Sequence, residues 1–198
     1  MQNPLLTMAL YVALVLIMPG PTNTLLLSSG LKVGVRQTSP LIAAEALGYV
    51  TSISLWGFFL SALSVSRPWL PAIVKLLSSA YILYLAARIW RQSGALQHVA
   101  ANPVGLRDMF VTTLMNPKAL LFGSTFFPLA AFQTAADFGR TMATFLVVLM
   151  PIAIGWSYLG MLLTARHSWA SHTPKLLRGA ALVLLTFSGT LMYSVLSR

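Results

Sequence analysis

Two short runs in this sequence join residues that break a helix to residues that can bind a solute. They are Met18-Pro19-Gly20-Pro21-Thr22-Asn23 and Met115-Asn116-Pro117-Lys118, each set inside an apolar stretch. Proline removes a backbone donor and clashes with the preceding turn, so each run should break or kink its helix. In hydrocarbon, broken backbone survives only where protein or water covers it. Interrupted segments at corresponding positions of two halves are the sequence pointer to a transporter's binding site. A kink that merely shapes packing is the plainer alternative for either run. Thr22 is suited to N-cap the resumed half-helix, whose positive dipole end then favours a carboxylate. Asn23 adds a neutral donor and acceptor. Asn116 and Pro117 repeat the logic of the first break, and Phe122, Gly123, Ser124 and Pro128 bend the chain again beyond Lys118.

Lys118 lies about ten residues, or roughly 15 Å, into its apolar stretch. A charge there costs about 2.5–3.5 kcal/mol on insertion scales, so it should be paired or face water. Glu45 is five residues past Pro40, roughly 7.5 Å along a helix. It either snorkels to the headgroups or lies within reach of Lys118. As a pair, the two could hold the ammonium and carboxylate of a zwitterion, or one could carry a coupling proton. The candidate substrate or gating residues are therefore Pro19, Gly20, Pro21, Thr22, Asn23, Asn116, Pro117 and Lys118, with Glu45 and Lys118 carrying charge.

Other chemistries find no foothold. Every histidine (His98, His167, His172) falls in a polar loop, so no Ser-His arrangement can meet at depth and no metal site is expected. There is no G-x-S-x-G elbow and no P-loop, so neither catalysis nor ATP-driven transport by this chain is expected. No cofactor is implied. The absence of cysteine excludes disulfides and thiolate chemistry. The net charge of +10 does not indicate nucleic acid, because the 13 cations punctuate the ends of apolar segments and form no patch.

The elements that must position these residues are membrane helices. Of 198 residues, 57% are hydrophobic and 8% charged, and the mean hydropathy is +0.79; a soluble domain carries roughly 25% charged residues. Six apolar spans follow: Pro4 to Ser29, broken at Pro19–Pro21; Pro40 to Val65; Trp69 to Trp90; Met109 to Phe132; Thr141 to Ala165; and Leu177 to Leu196. Trp69 and Trp90 are about 32 Å apart along a helix, right for two aromatic belts. Ala44, Gly48 and Ser52 make a close-packing face on the second span. The aromatics Tyr49, Trp56, Tyr81, Tyr84, Trp156 and Tyr158 either line a cavity or pack. Met1-Gln2-Asn3-Pro4 lacks the cations of a signal peptide, so the first span is expected to stay.

Loops 1–2, 3–4 and 5–6 carry Lys32, Arg36, Arg88, Arg91, Arg107, Arg166, Lys175 and Arg178, whereas the opposite side has Arg67, Arg140 and Arg198, with Lys75 close to the interface. Positive-inside then puts both termini outside the cytoplasm. The polar linker 92–107 divides the chain into three-span halves, 1–91 and 108–198. An odd number of spans per half requires the second to insert inverted, the arithmetic of a 3+3 repeat with broken helices 1 and 4.

At these motifs the chain resembles the lysine-exporter (LysE/RhtB) superfamily of bacterial amino-acid effluxers. The resemblance covers essentially the whole length. It rests on Pro19-Gly20-Pro21, on Gly30 and Gly34 with Gly48 beyond, and on Asn116-Pro117-Lys118-Ala119-Leu120-Leu121-Phe122 with Pro128. The stretch from Ser28-Ser29 through Gly34-Val35-Arg36-Gln37 is most similar to the cysteine and O-acetylserine branch. Thr22 stands where many members have Asn, and Glu45 occupies a position usually small or apolar. The resemblance implies efflux of an amino acid or derivative from the bacterial cytoplasm across the inner membrane, exchanged for protons.

The fold expected is thus all-α integral membrane, with the two breaks facing each other across one cavity that rocking of one half about the other exposes to each side in turn. Its partners are an amino-acid substrate, protons and lipid, with the small-residue faces packing either within one chain or between two copies. A passive channel and a lipid-directed membrane enzyme are the alternatives.

Overall fold

The computed structural model describes residues 4–66, 69–92 and 104–165, together with helical positions at 178, 182, 185–186, 188–189 and 192–193. The described residues contain no strand. Helix α1 (Pro4–Ile17) stops at the first break, and α2 (Pro21–Ser66) resumes directly after it. Inside α2, Gly34 adopts φ 78° and ψ 171°, a left-handed conformation that favours glycine. It divides α2 into a first arm (residues 21–33) and a second arm (35–66). The bend is a reversal: Ser29 and Thr38, nine positions apart, bring their hydroxyls to 3.0 Å, whereas a straight helix would separate them by about 13 Å. Then come α3 (Leu70–Gln92), α4 (Leu106–Leu114), the short α5 (Pro117–Leu121), a π-helical turn (Phe122–Phe126), a 3-10 turn (Leu129–Phe132) and α6 (Ala135–Ala165).

Several expected boundaries shift. The first span continues to residue 33 rather than Ser29, and the second begins at residue 35 rather than Pro40. Pro40 is accommodated because Ser39 Oγ donates to the Arg36 carbonyl at 2.9 Å, the acceptor that the missing proline N–H would have used. The fourth span is interrupted more than once. After α5 the ladder widens, with Phe127 N donating to Phe122 O at 2.9 Å, and Phe127–Pro128 is extended before the 3-10 turn. The fifth helix starts six residues before Thr141. Most of the sixth span and the linker 93–103 lie outside the described residues, as do all three histidines.

Close approach of small residues sets the packing, as in membranes, where lipid removes the hydrophobic drive between helices. A side chain on Gly30 would collide with the backbone of Ser157, and one on Gly160 with that of Leu27 and Leu31, so the first arm and α6 cross backbone to backbone. Gly48 lies against Thr113 and Phe110 of α4, and Ser52 Oγ donates to the Leu114 carbonyl at 3.0 Å. The face formed by Ala44, Gly48 and Ser52 is therefore a packing face. Tyr49, Phe122 and Phe145 meet at centroid distances of 5.3–5.7 Å across three elements. Ser79 and Ser188 exchange hydroxyl-to-carbonyl bonds at 3.0 and 2.9 Å, and the Arg178 guanidinium lies 5.7 Å from the Trp90 ring centroid. From Ser79 to Trp90 is 11 positions forward and from Ser188 to Arg178 is 10 back, so the two segments run antiparallel.

Large apolar side chains face outward, among them Leu6, Leu10, Ile17, Leu55, Val147 and Ile154. Water would penalise such a surface; lipid does not. Trp69 and Trp90 are both about half exposed, as belt residues require. Ala135–Leu163 is long and apolar enough to cross a bilayer, and so by length and composition is Pro21–Leu63, which the Gly34 reversal divides in two.

Candidate functional site

The two breaks meet in the interior. Pro19, Gly20 and Pro21 deprive the end of α1 of helical donors, leaving carbonyls at Leu16 and Met18 without ladder partners. Asn23 Nδ2 donates to both, at 2.7 and 2.6 Å. Lys118 Nζ, from the other break, donates to the same Met18 carbonyl at 2.6 Å. Asn23 thus serves the backbone rather than presenting its amide donor to a solute. Gly20 makes room for this approach, since a methyl there would stand 3.0 Å from Lys118 Nζ and 3.1 Å from Cε. Lys118 is buried at 2% exposure, so it does not snorkel.

The second break is built by local rules. Asn116 is the N-cap of α5, its Oδ1 accepting from Lys118 N at 3.0 Å, and Pro117 follows at the first helical position, where its missing N–H costs nothing. Asn116 N takes the Thr113 carbonyl at 3.0 Å, the acceptor a non-proline residue 117 would have used. Asn116 Nδ2 also donates to Tyr49 Oη at 3.3 Å, tying the break to the second arm of α2.

The expectation that Thr22 caps the resumed helix is corrected. Pro21 occupies the first helical position, so the cap falls on Gly20, whose carbonyl accepts from Thr24 N at 2.9 Å. Thr22 is one position inside the helix, with a buried hydroxyl that adjoins Glu45 and Tyr49 but completes no hydrogen bond.

Glu45 is 0% exposed, and neither carboxyl oxygen has a hydrogen-bond partner. It does not reach the headgroups. Because the second arm starts at residue 35, Glu45 is ten residues in rather than five, about 15 Å along the axis. It lies within electrostatic range of Lys118 without an ion-pair contact; among the described residues the ion pair within 4.0 Å is the exposed Arg140–Asp137. The two breaks themselves are in direct contact here rather than facing each other across an open cavity.

Tyr49 is the site residue that the spacing undersold. It sits one turn from Glu45 on the same helix face, is fully buried, and receives Asn116; that i, i+4 relation was the available signal. Trp56, Tyr84 and Tyr158 are largely exposed and Trp156 partly buried, so these four do not join it. Among the described residues no cluster of metal-ligating side chains occurs.

A lipid-compatible helical bundle whose two broken helices converge on buried charges has the build of a membrane translocator. The chain belongs to the LysE-type translocator family, whose model matches residues 13–195. Membership places it among transport proteins rather than enzymes. It is similar to the cysteine/O-acetylserine efflux protein of Salmonella paratyphi A, with 32% identity over 115 residues, and to that of Escherichia coli K12, with 29% over the same length. Each match covers 58% of this chain and 59% of the relative, so the chain spans under two thirds of these relatives. No solved structure matches significantly.

Proposed function

We propose that the chain exports a small amino acid or amino-acid derivative, of the cysteine or O-acetylserine kind, across the bacterial inner membrane in exchange for protons. The observation that carries this reading is the buried convergence of Lys118, from one helix break, and the unpartnered Glu45 carboxyl beside the other. A buried charge without full compensation is costly to keep. A zwitterion supplies the complement: its carboxylate meets Lys118 and the N-terminal ends of the two resumed helices, and its ammonium meets Glu45. A proton on Glu45 and an ammonium against Glu45 exclude each other, which is the requirement for exchange. Thr22, Asn116 and Tyr49 shape the pocket, and Pro19, Gly20, Pro21 and Pro117 let the helices part and rejoin.

Six spans in two inverted halves, 1–91 and 108–198, with both termini outside, suit this mechanism. Pro21 and Pro117, each the first residue of a resumed helix, are 96 positions apart, and so are Tyr49 and Phe145, which pack edge to face. The antiparallel contact of Ser79 with Ser188 and of Trp90 with Arg178 is what an inverted third and sixth span would give.

The test is efflux of cysteine, O-acetylserine and a dipeptide-fed amino-acid panel from cells expressing wild type, Lys118→Met or Glu45→Gln at matched membrane levels. Faster efflux by wild type alone, abolished by a protonophore, is expected. Efflux that follows only the solute gradient would make the protein a channel. Both variants exporting normally would remove the charged pair from the mechanism.

A further inference from the structure

Four residues account for the buried side-chain oxygens that lack a hydrogen-bond partner among the described residues: Thr22, Ser28, Glu45 and Ser157. Buried polar atoms are nearly always satisfied, and ordered water is the usual partner where protein supplies none. All four lie on the first arm of α2 or on segments packed against it. Thr22 adjoins Glu45. Ser28 is six residues further along the first arm, about 9 Å. Ser157 belongs to α6 where its backbone touches Gly30.

Beyond them, at the Gly34 reversal, is a cleft of about 370 Å³ whose lining includes Ser29, Lys32, Gln37, Pro40, Leu41 and Val104. Ser29, next to Ser28, lines it, and its hydroxyl lies 3.0 Å from that of Thr38. Leu41, also on its wall, is four residues, or about 6 Å, from Glu45 on the same helix face. The cleft is at the end of the molecule that the cations assign to the cytoplasm.

We propose that Ser28, Ser157 and Thr22 form a hydrated file that carries protons between this cytoplasmic cleft and Glu45. The inference rests on the exporter reading above and adds to it the side from which the coupling group is served and the residues that serve it. A serine or threonine hydroxyl both donates and accepts, so a proton taken up by one bridging water is passed on by the next. Released from the Glu45 carboxyl, it leaves as hydronium in the cleft, and Glu45 is left as carboxylate. No other acid competes along the way. Lys118 and Tyr49 are the titratable groups facing Glu45; α4 offers only Arg107 and Asp108, both exposed, and α6 is uncharged from residue 141 onward. Lys32 is a cation on the cleft wall.

The experiment uses purified full-length protein in liposomes, comparing wild type with Ser28→Ala and Ser157→Ala. Alanine removes one oxygen and adds no bulk, and deleting an unpaired hydroxyl leaves no partner stranded. Two rates are read with O-acetylserine as probe: uptake driven by a pH gradient, and exchange of internal for external substrate at equal pH, which moves no net proton. The expected result is gradient-driven uptake slowed at least fivefold in each variant, with exchange within twofold of wild type. Unchanged gradient-driven uptake overturns the file. So does an equal loss of both rates, because the serines would then serve substrate or packing. If wild type itself shows neither rate with any amino acid of the panel, the exporter reading fails first and takes the file with it.

Discussion

Gly20 offers the sharpest test of how the two breaks are joined. Its φ is not in the left-handed region, so a side chain there is limited by space alone. An alanine methyl would stand 3.0 Å from Lys118 Nζ and 3.1 Å from Cε. Relief requires the lysine end to retreat by about 0.4 Å, which stretches its 2.6 Å bond to Met18 O to roughly 3.0 Å, still within hydrogen-bond range. Gly20→Ala should therefore cost under about 1 kcal/mol and keep efflux within a few-fold of wild type. Gly20→Val carries methyls about 1.5 Å further out and must expel the ammonium from the carbonyl. Losing a hydrogen bond from a charged donor costs about 1.5–3 kcal/mol, roughly ten- to 150-fold in the population of the joined state. The assay is thermal unfolding of detergent-purified protein beside efflux at matched expression, with the thermal unfolding repeated in a Lys118→Ala background. There the valine methyls meet open space, and the penalty should fall to a few tenths of a kcal/mol. Equal damage by alanine and valine, or a valine penalty that persists without the lysine, would refute the reasoning.

Three further outcomes follow from the geometry. Asn116→Ala removes the N-cap of α5 and the tie to Tyr49, and should cost about 1–2 kcal/mol in thermal stability; Asn116→Asp should recover the cap but not the donor to Tyr49. Gly160→Val forces α6 away from the Leu27 and Leu31 backbone and should cost about 1–3 kcal/mol or prevent stable insertion, read by protease resistance in membranes; Gly139→Ala, open on all sides, should be silent. Ser79→Ala and Ser188→Ala together should cost about 0.6–2 kcal/mol, and each alone about half as much, because each hydroxyl donates separately to the other residue's carbonyl.

The breaks were legible because proline acts through its own covalent ring. Wherever Pro19, Pro21 or Pro117 falls, a ladder bond is lost, and only the identity of the compensating donor is left open. That donor was not legible: the sequence shows Asn23 as a neutral donor and acceptor, and its amide goes to carbonyls that the preceding helix, α1, leaves at the break. Glu45 was misplaced by about half its depth because Pro40 looks like a helix start, whereas the Ser39 hydroxyl lets the helix run through it. Thr22 could have been read correctly, since proline prefers the first helical position and so displaces the cap to the residue before it. The π-turn after Lys118 depends on Gly123 settling against the backbone of Ile53 and Gly57, a tertiary condition with no local signature.

The reversal at Gly34 has a consequence for biogenesis. A one-residue corner fastened by Ser29 and Thr38 leaves no slack to thread the first two spans separately. The pair should leave the translocon as a finished hairpin, delivering the Pro-Gly-Pro break already folded against the segment that carries Glu45. A glycine replaced here by any residue averse to positive φ would not merely strain a loop. It would delay that joint entry, and arrest during synthesis would be its first symptom.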